Sequence, residues 1–186
     1  KAEQRSEGHP VLKIKDVTDT GAFRGSFDNF VDLNLAQKHQ ARWLRRGDSL
    51  ILNAAHNADY VASKLFLADE SVEHALPTGE WLVVRPNETK AIPSYIHFWL
   101  RAPATRRAIK LLVKGIHLYP KDVSSLPISL PTFPKQRQIV DLLSSAEGVV
   151  RLRREADKKT AELIPALFLD MFGDPVVAMN SRDGID

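Results

Sequence analysis

A short polar stretch after a predicted buried strand holds the first candidate functional residues, Asn53, His56, Asn57 and Tyr60. An asparagine amide can form a bidentate pair with adenine in the major groove of DNA, and a histidine ring can donate to a base or a phosphate. The small alanines between these residues would let the backbone approach a ligand closely. A polar surface loop with asparagines in turn conformations has the same composition, so both interpretations stay open.

A second stretch, residues 114–121, places a cation, a flexible glycine, a histidine and an aromatic ring next to one another. Gly115 would allow the backbone to come close to a ligand. Lys114 could then reach a phosphate, and His117 or Tyr119 a base edge. The alternative is a connector whose Ile116 and Leu118 fill the core.

Arginines precede the predicted strand at residues 49–53. Arg42, Arg45 and Arg46 are suited to phosphate contacts, which position a protein on DNA and make binding depend on salt. The alternative is a solvated face with Trp43 and Leu44 turned inward. Lys13 and Lys15 are further candidates for phosphate contact.

Signatures of catalysis are missing from the sequence. It contains no Walker A loop, no GxSxG elbow, no HExxH pair and no Asn-Pro-Pro-aromatic tetrapeptide of methyltransferases. The six histidines are scattered and cysteine is absent, which excludes disulfides and thiolate metal sites. We therefore expect no catalytic residue, no metal site and no cofactor in this chain.

The hydrophobic pattern predicts an α+β domain followed by one long helix. Strands are predicted at residues 11–17 (with one solvated face), 49–53, 60–67, 81–85 and 126–130. Helices are expected at residues 33–38, from Pro93 to Leu100, and at 104–114, and residues 68–79 are expected to form a loop. The strands are expected to form a mixed or antiparallel sheet.

From residue 134 onward, apolar residues recur at alternating steps of three and four, which predicts a helix of roughly 30 residues and about 45 Å with one apolar stripe. The predicted interface residues are Ile139, Leu142, Ala146, Val149, Arg153, Ala156, Leu163 and Leu167. Polar Arg153 and Thr160 within the stripe would fix its register against one partner. The length favours a partner over packing on the chain's own domain, and Pro165 predicts a kink or a break.

Charge divides unevenly along the chain. Residues 1–133 hold 18 Lys and Arg against 14 Asp and Glu, a balance of +4, whereas residues 134–186 hold 8 against 9, a balance of −1. A basic body suits nucleic acid and a nearly neutral helix suits protein. The cations on the helix, such as Lys158 and Lys159, are expected to pair with Glu155 on a solvated face. No apolar run is long enough to cross a membrane, and a cytoplasmic protein is expected.

Several motifs carry a resemblance to a known family. The segments SLPISLPTFPKQRQIV, AEGVVRLRREADKKTAELIPALF and MFGDP resemble the conserved helical spacer of the specificity (S) subunit of type I restriction-modification systems. Upstream, RRGDSLILNAAHNADYVASKLF, GEWLVVRPN and VKGIHLYPKDVSSL resemble the DNA target recognition domain that precedes such a spacer. On this basis residues 1–133 are the recognition domain, 134–175 the spacer and 176–186 a polar tail.

The resemblance implies sequence-specific recognition of double-stranded DNA without catalysis. Methylation and cleavage would belong to partner methyltransferase (M) and restriction (R) subunits. The chain departs from the family pattern because it holds one recognition domain and one spacer, so it is either an excised half or a half-sized subunit that pairs with a second copy as a homodimer. The alternative from another class is a protein-interaction adaptor with a coiled-coil arm.

Overall fold

The structure, a computed structural model, describes residues 5–173 of the chain. The chain divides into two compact units, Lys1–Val140 and Asp141–Asp186. The predicted polar tail, together with Asp174 and Pro175 of the MFGDP motif, lies outside the described residues. Within residues 5–173 no helix combines the length and the apolarity that a membrane crossing requires.

Six strands form two small sheets within the described residues. They are β1 (His9–Leu12), β2 (Phe30–Val31), β3 (Ser49–Leu52), β4 (Leu65–Leu67), β5 (Leu76–Pro77) and β6 (Trp81–Val84). The first sheet has the order β2-β1-β5, in which β2 is antiparallel and β5 parallel to β1. The second sheet has the order β4-β3-β6 and is antiparallel throughout.

The central strand β3 is buried along its whole length, and its residues after Ser49 are all apolar, because both faces of its sheet are covered. Leu50 and Leu52 belong to a cluster with Leu44, Phe66 and Trp81. Ile51 faces the opposite side, where the second cluster includes Leu82 of β6 together with helical and loop residues: Ile96, Leu100, Ile109 and Leu118. The strand therefore lies between two layers of the core, and its ends are held in fixed positions.

Five α-helices complete the described chain: α1 (Leu33–Lys38), α2 (Pro93–Arg101), α3 (Pro103–Leu111), α4 (Pro120–Ser124) and α5 (Phe133–Phe172). Short 3-10 helices occur at Ile14–Asp16, Gln40–Arg42, Ala58–Tyr60 and Glu70–Val72. Proline occupies the first turn of α2, α3 and α4, where its missing N–H has no helical partner to lose. Helix α1 begins where predicted because the Asp32 carboxylate accepts the Asn34 N–H at 2.9 Å.

The first strand is shorter than predicted. The prediction of a strand through residue 17 was wrong after Leu12, because the Asp16 carboxylate accepts the Lys13 N–H at 2.8 Å and closes a 3-10 turn. The predicted solvated face is also absent, since Val11 and Leu12 are both buried. Likewise, residues 60–67 form a strand only at Leu65–Leu67.

Two further predictions for the body were wrong. Residues 68–79, predicted as a loop, contain the 3-10 helix Glu70–Val72 and the strand β5. Residues 126–130, predicted as a strand, form none, because Leu126 and Ile128 pack against the second core cluster without pairing to a strand. The preceding helix α4 was not predicted.

The sequence predicted a kink or a break in the long helix at Pro165. No break occurs there, because helix α5 continues through Pro165 to Phe172. Pro165 cannot donate to the carbonyl of Ala161. Ala161 is exposed, so a water molecule can donate a hydrogen bond to this carbonyl instead. The helix is 40 residues long, about 60 Å at 1.5 Å per residue, and thus longer than predicted.

The start of α5 is attached to the first unit by Gln136, which is fully buried. Its Oε1 accepts the Ile92 N–H at 2.8 Å, and its Nε2 donates to the carbonyls of Pro131 at 2.8 Å and Lys90 at 3.1 Å. The side chain thus satisfies three backbone groups in two segments, one at residues 90–92 and one at Pro131.

Replacing Gln136 by alanine should lower the free energy of unfolding by about 2 kcal/mol, because backbone groups are left buried without partners. Gln138→Ala is the matched control, since that side chain is exposed and bonds to Lys135 at 2.9 Å. Urea denaturation of the two variants measures the difference. Equal midpoints would show that Gln136 does not anchor the helix.

Candidate nucleic-acid interface

The two polar loops that the sequence singled out separately lie side by side. Ala54 and His117 form an antiparallel bridge. The Leu118 N–H donates to the Asn53 carbonyl at 2.7 Å, and the Ala55 N–H donates to the Ile116 carbonyl at 3.4 Å. Two loops more than 60 positions apart in the chain are therefore joined side by side through their backbones.

The first loop is held in shape by its own side chains and by helix α3. Asn57 Oδ1 accepts the Asp59 N–H at 2.9 Å and caps the 3-10 helix Ala58–Tyr60. Lys110 on α3 donates from Nζ to the carbonyls of Asp59 and Val61, both at 2.6 Å. His56 and Tyr60 are exposed, so they remain accessible, whereas the Asn57 oxygen has a structural role.

The second loop is a tight turn. The backbones of Lys114 and His117 exchange hydrogen bonds of 2.8 and 3.1 Å, and Gly115 adopts a φ of +60° within the turn. Leu118 is buried, as the connector interpretation requires, but Ile116 is exposed. The rings of His117 and Tyr119 lie 6.1 Å apart at the surface, and Lys114 Nζ pairs with Asp122 at 2.7 Å. The turn therefore contributes Leu118 to the core and leaves its polar side chains exposed.

The three arginine side chains of residues 42–46 have different surroundings. Arg42 is exposed and lines a cavity with Asn53 and Pro120, which brings it to the two loops. Arg46 pairs with Glu70 instead. The Arg45 side chain is exposed, and its backbone N–H donates to Asp48 Oδ2 at 2.9 Å. Trp43 and Leu44 do turn inward, with Leu44 fully buried and Trp43 Nε1 donating to the Ala36 carbonyl at 3.1 Å.

Within residues 5–173, no observed interaction connects Lys13 or Lys15 to these loops. Lys15 Nζ pairs with Asp28 at 2.8 Å, and that hydrogen bond raises the pKa of Lys15. The backbone N–H of Lys13 donates a hydrogen bond to the Asp16 carboxylate. The residues that the structure brings together, as a candidate interface, are therefore the two loops and Arg42.

The sequence analysis did not single out Arg85 or the cationic side chains of α3, which hold parts of the body together through hydrogen bonds. Arg85 donates to Asp48 from Nε at 2.8 Å and from Nη2 at 2.6 Å, and this pairing raises the pKa of Arg85. Arg106 donates from Nη2 to the Ser63 carbonyl at 3.2 Å. The clustering of cations in RAPATRRAIK could have indicated the α3 surface, but nothing in the sequence pairs residue 85 with residue 48.

His97 on α2 lies in the packed layer between helix and sheet. Its Nδ1 lies 3.2 Å from Ser49 Oγ, and burial, with a contribution from the positive charge of Arg101, lowers the pKa of His97 to about 4. The ring is therefore neutral near pH 7 and serves packing. An imidazole in this position does not offer a positive charge to a phosphate.

Lowering the pH should destabilise the protein through His97. The unfolded chain binds a proton at this residue below about pH 6.5, whereas the folded chain does so only near pH 4. Stability contributed by His97 is thus present above pH 6.5 and is lost between 6.5 and 4, by up to about 3 kcal/mol. Chemical denaturation at pH 7 and 4.5 measures this loss, which His97→Gln should reduce. An equal loss in wild type and variant would contradict the assignment.

The predicted interface residues of the long helix all lie on α5. Ile139 is half-buried within the first unit, whereas the stripe residues of the second unit are exposed, with Leu142 70% and Val149 66% exposed. Further apolar side chains are exposed toward the end of the helix, and they are not confined to the stripe: Ile164, Phe168, Leu169, Met171 and Phe172. The charged face pairs internally, as Arg151–Glu155 at 3.0 Å and Lys158–Glu162 at 3.8 Å, which corrects the predicted pairing of Glu155 with Lys158 or Lys159.

Comparison with known proteins identifies the fold. No protein-family model matches the chain. The type I restriction enzyme HindI specificity subunit of Haemophilus influenzae is 20% identical over 116 residues, which are 60% of this chain and 25% of that protein. The crystal structure of the HsdS subunit from Thermoanaerobacter tengcongensis superposes with a TM-score of 0.56 at 21% identity, over 99% of this chain and 47% of that one. The resemblance to type I specificity subunits is confirmed.

A second solved relative agrees. A chain from a structure describing complex assembly and conformational transition of the type I R-M system superposes with a TM-score of 0.63 at 20% identity, over 100% of this chain and 48% of that chain. The predicted fold class, an α+β domain followed by a long helix, is thereby confirmed as a specificity-subunit fold. The chain spans about half the length of the solved specificity-subunit relatives and a quarter of the curated one.

Proposed function

We propose that this chain recognises a specific sequence in double-stranded DNA as half of a type I specificity subunit. The observation that carries the proposal is the junction of the two polar loops at Ala54 and His117, beside Arg42, on a body with the specificity-subunit fold. Side chains that can reach base edges thus lie together with a cation that can reach a phosphate.

The DNA-contacting residues in this proposal are those that the sequence singled out. Accessible at the loop surface are His56, Tyr60, His117 and Tyr119. Arg42 is exposed beside them as a phosphate contact, and Lys114 becomes one when its ammonium exchanges Asp122 for a phosphate. Arg45 is exposed as a further phosphate contact outside the two loops. Asn53 and Asn57 supply amide groups, although the Asn57 oxygen is already used as a cap. Arg46, paired with Glu70, contributes less than its position in the sequence indicated.

Catalysis in this proposal belongs to partner proteins, and the whole assembly works in the cytoplasm. The chain would direct M and R subunits to the target, with residues 1–133 reading DNA and the spacer at 134–175 docking partners. The support is the relationship to specificity subunits and the exposed apolar surface of α5, which needs a protein partner.

Because one recognition domain reads only half of a split target, the proposal includes a homodimer through α5. Two copies related by a two-fold axis would place their helices antiparallel and would select an inverted repeat with a gap. The helix length would then set the gap. Methylation mapping of host DNA, with and without the intact system, would read that target directly.

Salt dependence of DNA binding tests the proposed interface. With about three phosphate contacts, the slope of log affinity against log salt should be about −3, so a fourfold rise in salt weakens binding about 60-fold. Arg42→Ala should reduce the slope by about one, whereas Arg46→Ala, whose side chain already pairs with Glu70, should leave it unchanged.

Gel-shift titration at several salt concentrations measures both slopes, alone and with M subunits added. A protein-interaction adaptor would bind no DNA at any salt concentration in either case. Equal effects of the two arginine variants would show that Arg42 is not part of the interface. That result would not contradict DNA binding by the chain.

A further inference from the structure

The positive charge of the body is concentrated in one stretch of the chain. Residues 89–121 hold seven of the 18 Lys and Arg of residues 1–133 and none of the 14 Asp and Glu. The other residues of 1–133 hold 11 against 14, a balance of −3. The basic character that suits the body to a polyanion therefore comes from this stretch, which includes helix α3.

Helix α3 carries three cations, and none of them pairs with a carboxylate among residues 5–173. Arg106 and Lys110 donate to neutral backbone carbonyls, which orient the two side chains and leave their charges uncompensated. Arg107 is exposed and has no such contact there. Burial, and after it the positive charge of Arg101, lowers the pKa of Arg106, as expected where cations are crowded. The exposed face of α3 is thus an unneutralised positive surface.

Helix α3 borders both loops of the candidate interface. Lys110 Nζ lies 2.6 Å from the carbonyls of Asp59 and Val61, which flank the exposed Tyr60 of the first loop. Beyond the end of the helix, the chain packs two residues against the second core cluster and then reaches Lys114, where the second loop begins. A duplex that contacts both loops would therefore come within reach of the cations on α3.

We propose that the exposed face of α3 binds the phosphate backbone of double-stranded DNA beside the two loops, with Arg107 and Lys110 as the contacts. This role rests on the proposed function and adds a surface to it. The two residues are neighbours on the helix, and a guanidinium can pair with a phosphate through two hydrogen bonds. Ala104, which is exposed one turn before Arg107, leaves room for the DNA backbone. Phosphate contacts read no bases, so α3 should strengthen binding to every sequence alike.

The salt dependence of binding to a paired duplex of mixed sequence measures this contribution. The three phosphate contacts proposed above predict a slope of log affinity against log salt of about −3, and two more on α3 would steepen it to about −4.5. Arg107→Gln, which keeps a side chain that favours helix, should reduce the slope by about one and weaken binding severalfold at about 0.1 M salt. Fluorescence anisotropy with the full 186-residue chain measures both quantities.

Lys38→Gln is the matched control. Lys38 is an exposed cation in the last turn of α1, whose Leu35 and Ala36 pack in a different core cluster, with Val11 and Val31. The variant removes the same charge from a helix outside the proposed surface, so it should leave the slope and the affinity unchanged. Circular dichroism confirms that each variant is folded.

The absence of cysteine allows a direct test of proximity. Arg107→Cys and Lys38→Cys would each introduce a single thiol, to which a photoreactive azidophenyl group is attached. Illumination of the complex with the same duplex should cross-link the chain to DNA from position 107 and not from position 38.

Three results would each overturn the role of α3: an unchanged slope in Arg107→Gln, an equal effect of Lys38→Gln, or no cross-link from position 107. Duplex binding by the wild-type chain would still support the proposed function in each case. The competing occupant is an acidic protein, because Leu111 at the end of α3 is 88% exposed. Loss of M-subunit co-sedimentation in Arg107→Gln, with DNA binding unchanged, would assign the surface to that partner instead. Absence of duplex binding by the wild type, alone and with M subunits, would reject the proposed function and the role of α3 with it.

Discussion

Replacing Val149 by aspartate should turn the proposed dimer into a monomer. The side chain is 66% exposed in the single chain and lies in the middle of the apolar stripe on α5. A two-fold axis would bring the change into the interface twice, and each buried carboxylate loses its hydration. We expect the dissociation constant to rise at least about 100-fold, equivalent to about 2.7 kcal/mol.

Sedimentation velocity at micromolar concentrations measures the loss, and Ala146→Asp should act in the same way. Ser144→Asp adds the same charge on the opposite face of the helix and should leave the dimer unchanged. The body should keep its unfolding midpoint in all three variants, because these exposed residues belong to the second unit. A wild-type chain that is monomeric at tens of micromolar would refute the pairing.

Removing the Asp48 carboxylate should have the largest effect on the stability of the body. Its side chain is 1% exposed and holds Arg85 by two hydrogen bonds, of 2.8 and 2.6 Å, and the Arg45 N–H by a third. Arg85 in turn donates to the Trp43 carbonyl at 2.8 Å, so the pair connects β6 to the segment before β3. Loss of the carboxylate would leave a partly buried guanidinium without its counter-charge.

Asp48→Ala should lower the free energy of unfolding by about 3 kcal/mol, near the lower end for a broken buried pair, since Arg85 is 30% exposed. Asp28→Ala serves as the matched control, because its pair with Lys15 is exposed and held by long flexible side chains. Urea denaturation compares the two. If Asp28→Ala destabilised the protein as much as Asp48→Ala, burial would not be the cause.

Elements with local signals were predicted well. Helix α1 has the predicted bounds, because Asp32 caps it within the same segment. Strands β3 and β6 lie where continuous apolar runs predicted them, and Pro93 begins α2. In each of these cases, the residues that decide the structure are adjacent in the chain.

Elements without local signals were missed. Strand β5 has two residues and exists because Leu76 and Pro77 lie parallel to Val11 and Leu12, more than 60 residues away. The alternation at residues 126–130 resembled a strand, but packing of the partly buried Leu126 and Ile128 against the second core cluster satisfies the same pattern without any strand pairing. Periodicity reports which side chains are apolar, and it does not report which backbone groups find partners.

The amino-acid sequence by itself determined the types of residue in each polar loop, the long helix with its apolar stripe, and the resemblance to specificity subunits. These depend on residues close together in the chain or on the order of motifs along it. Only the tertiary structure decided that the loops of Asn53 and His117 lie side by side, that Arg42 adjoins them while Arg46 is taken up by Glu70, and that Lys110 of α3 contacts the first loop. Such choices depend on contacts between distant segments, where the packing of the two core clusters, and no local preference, selects the partner.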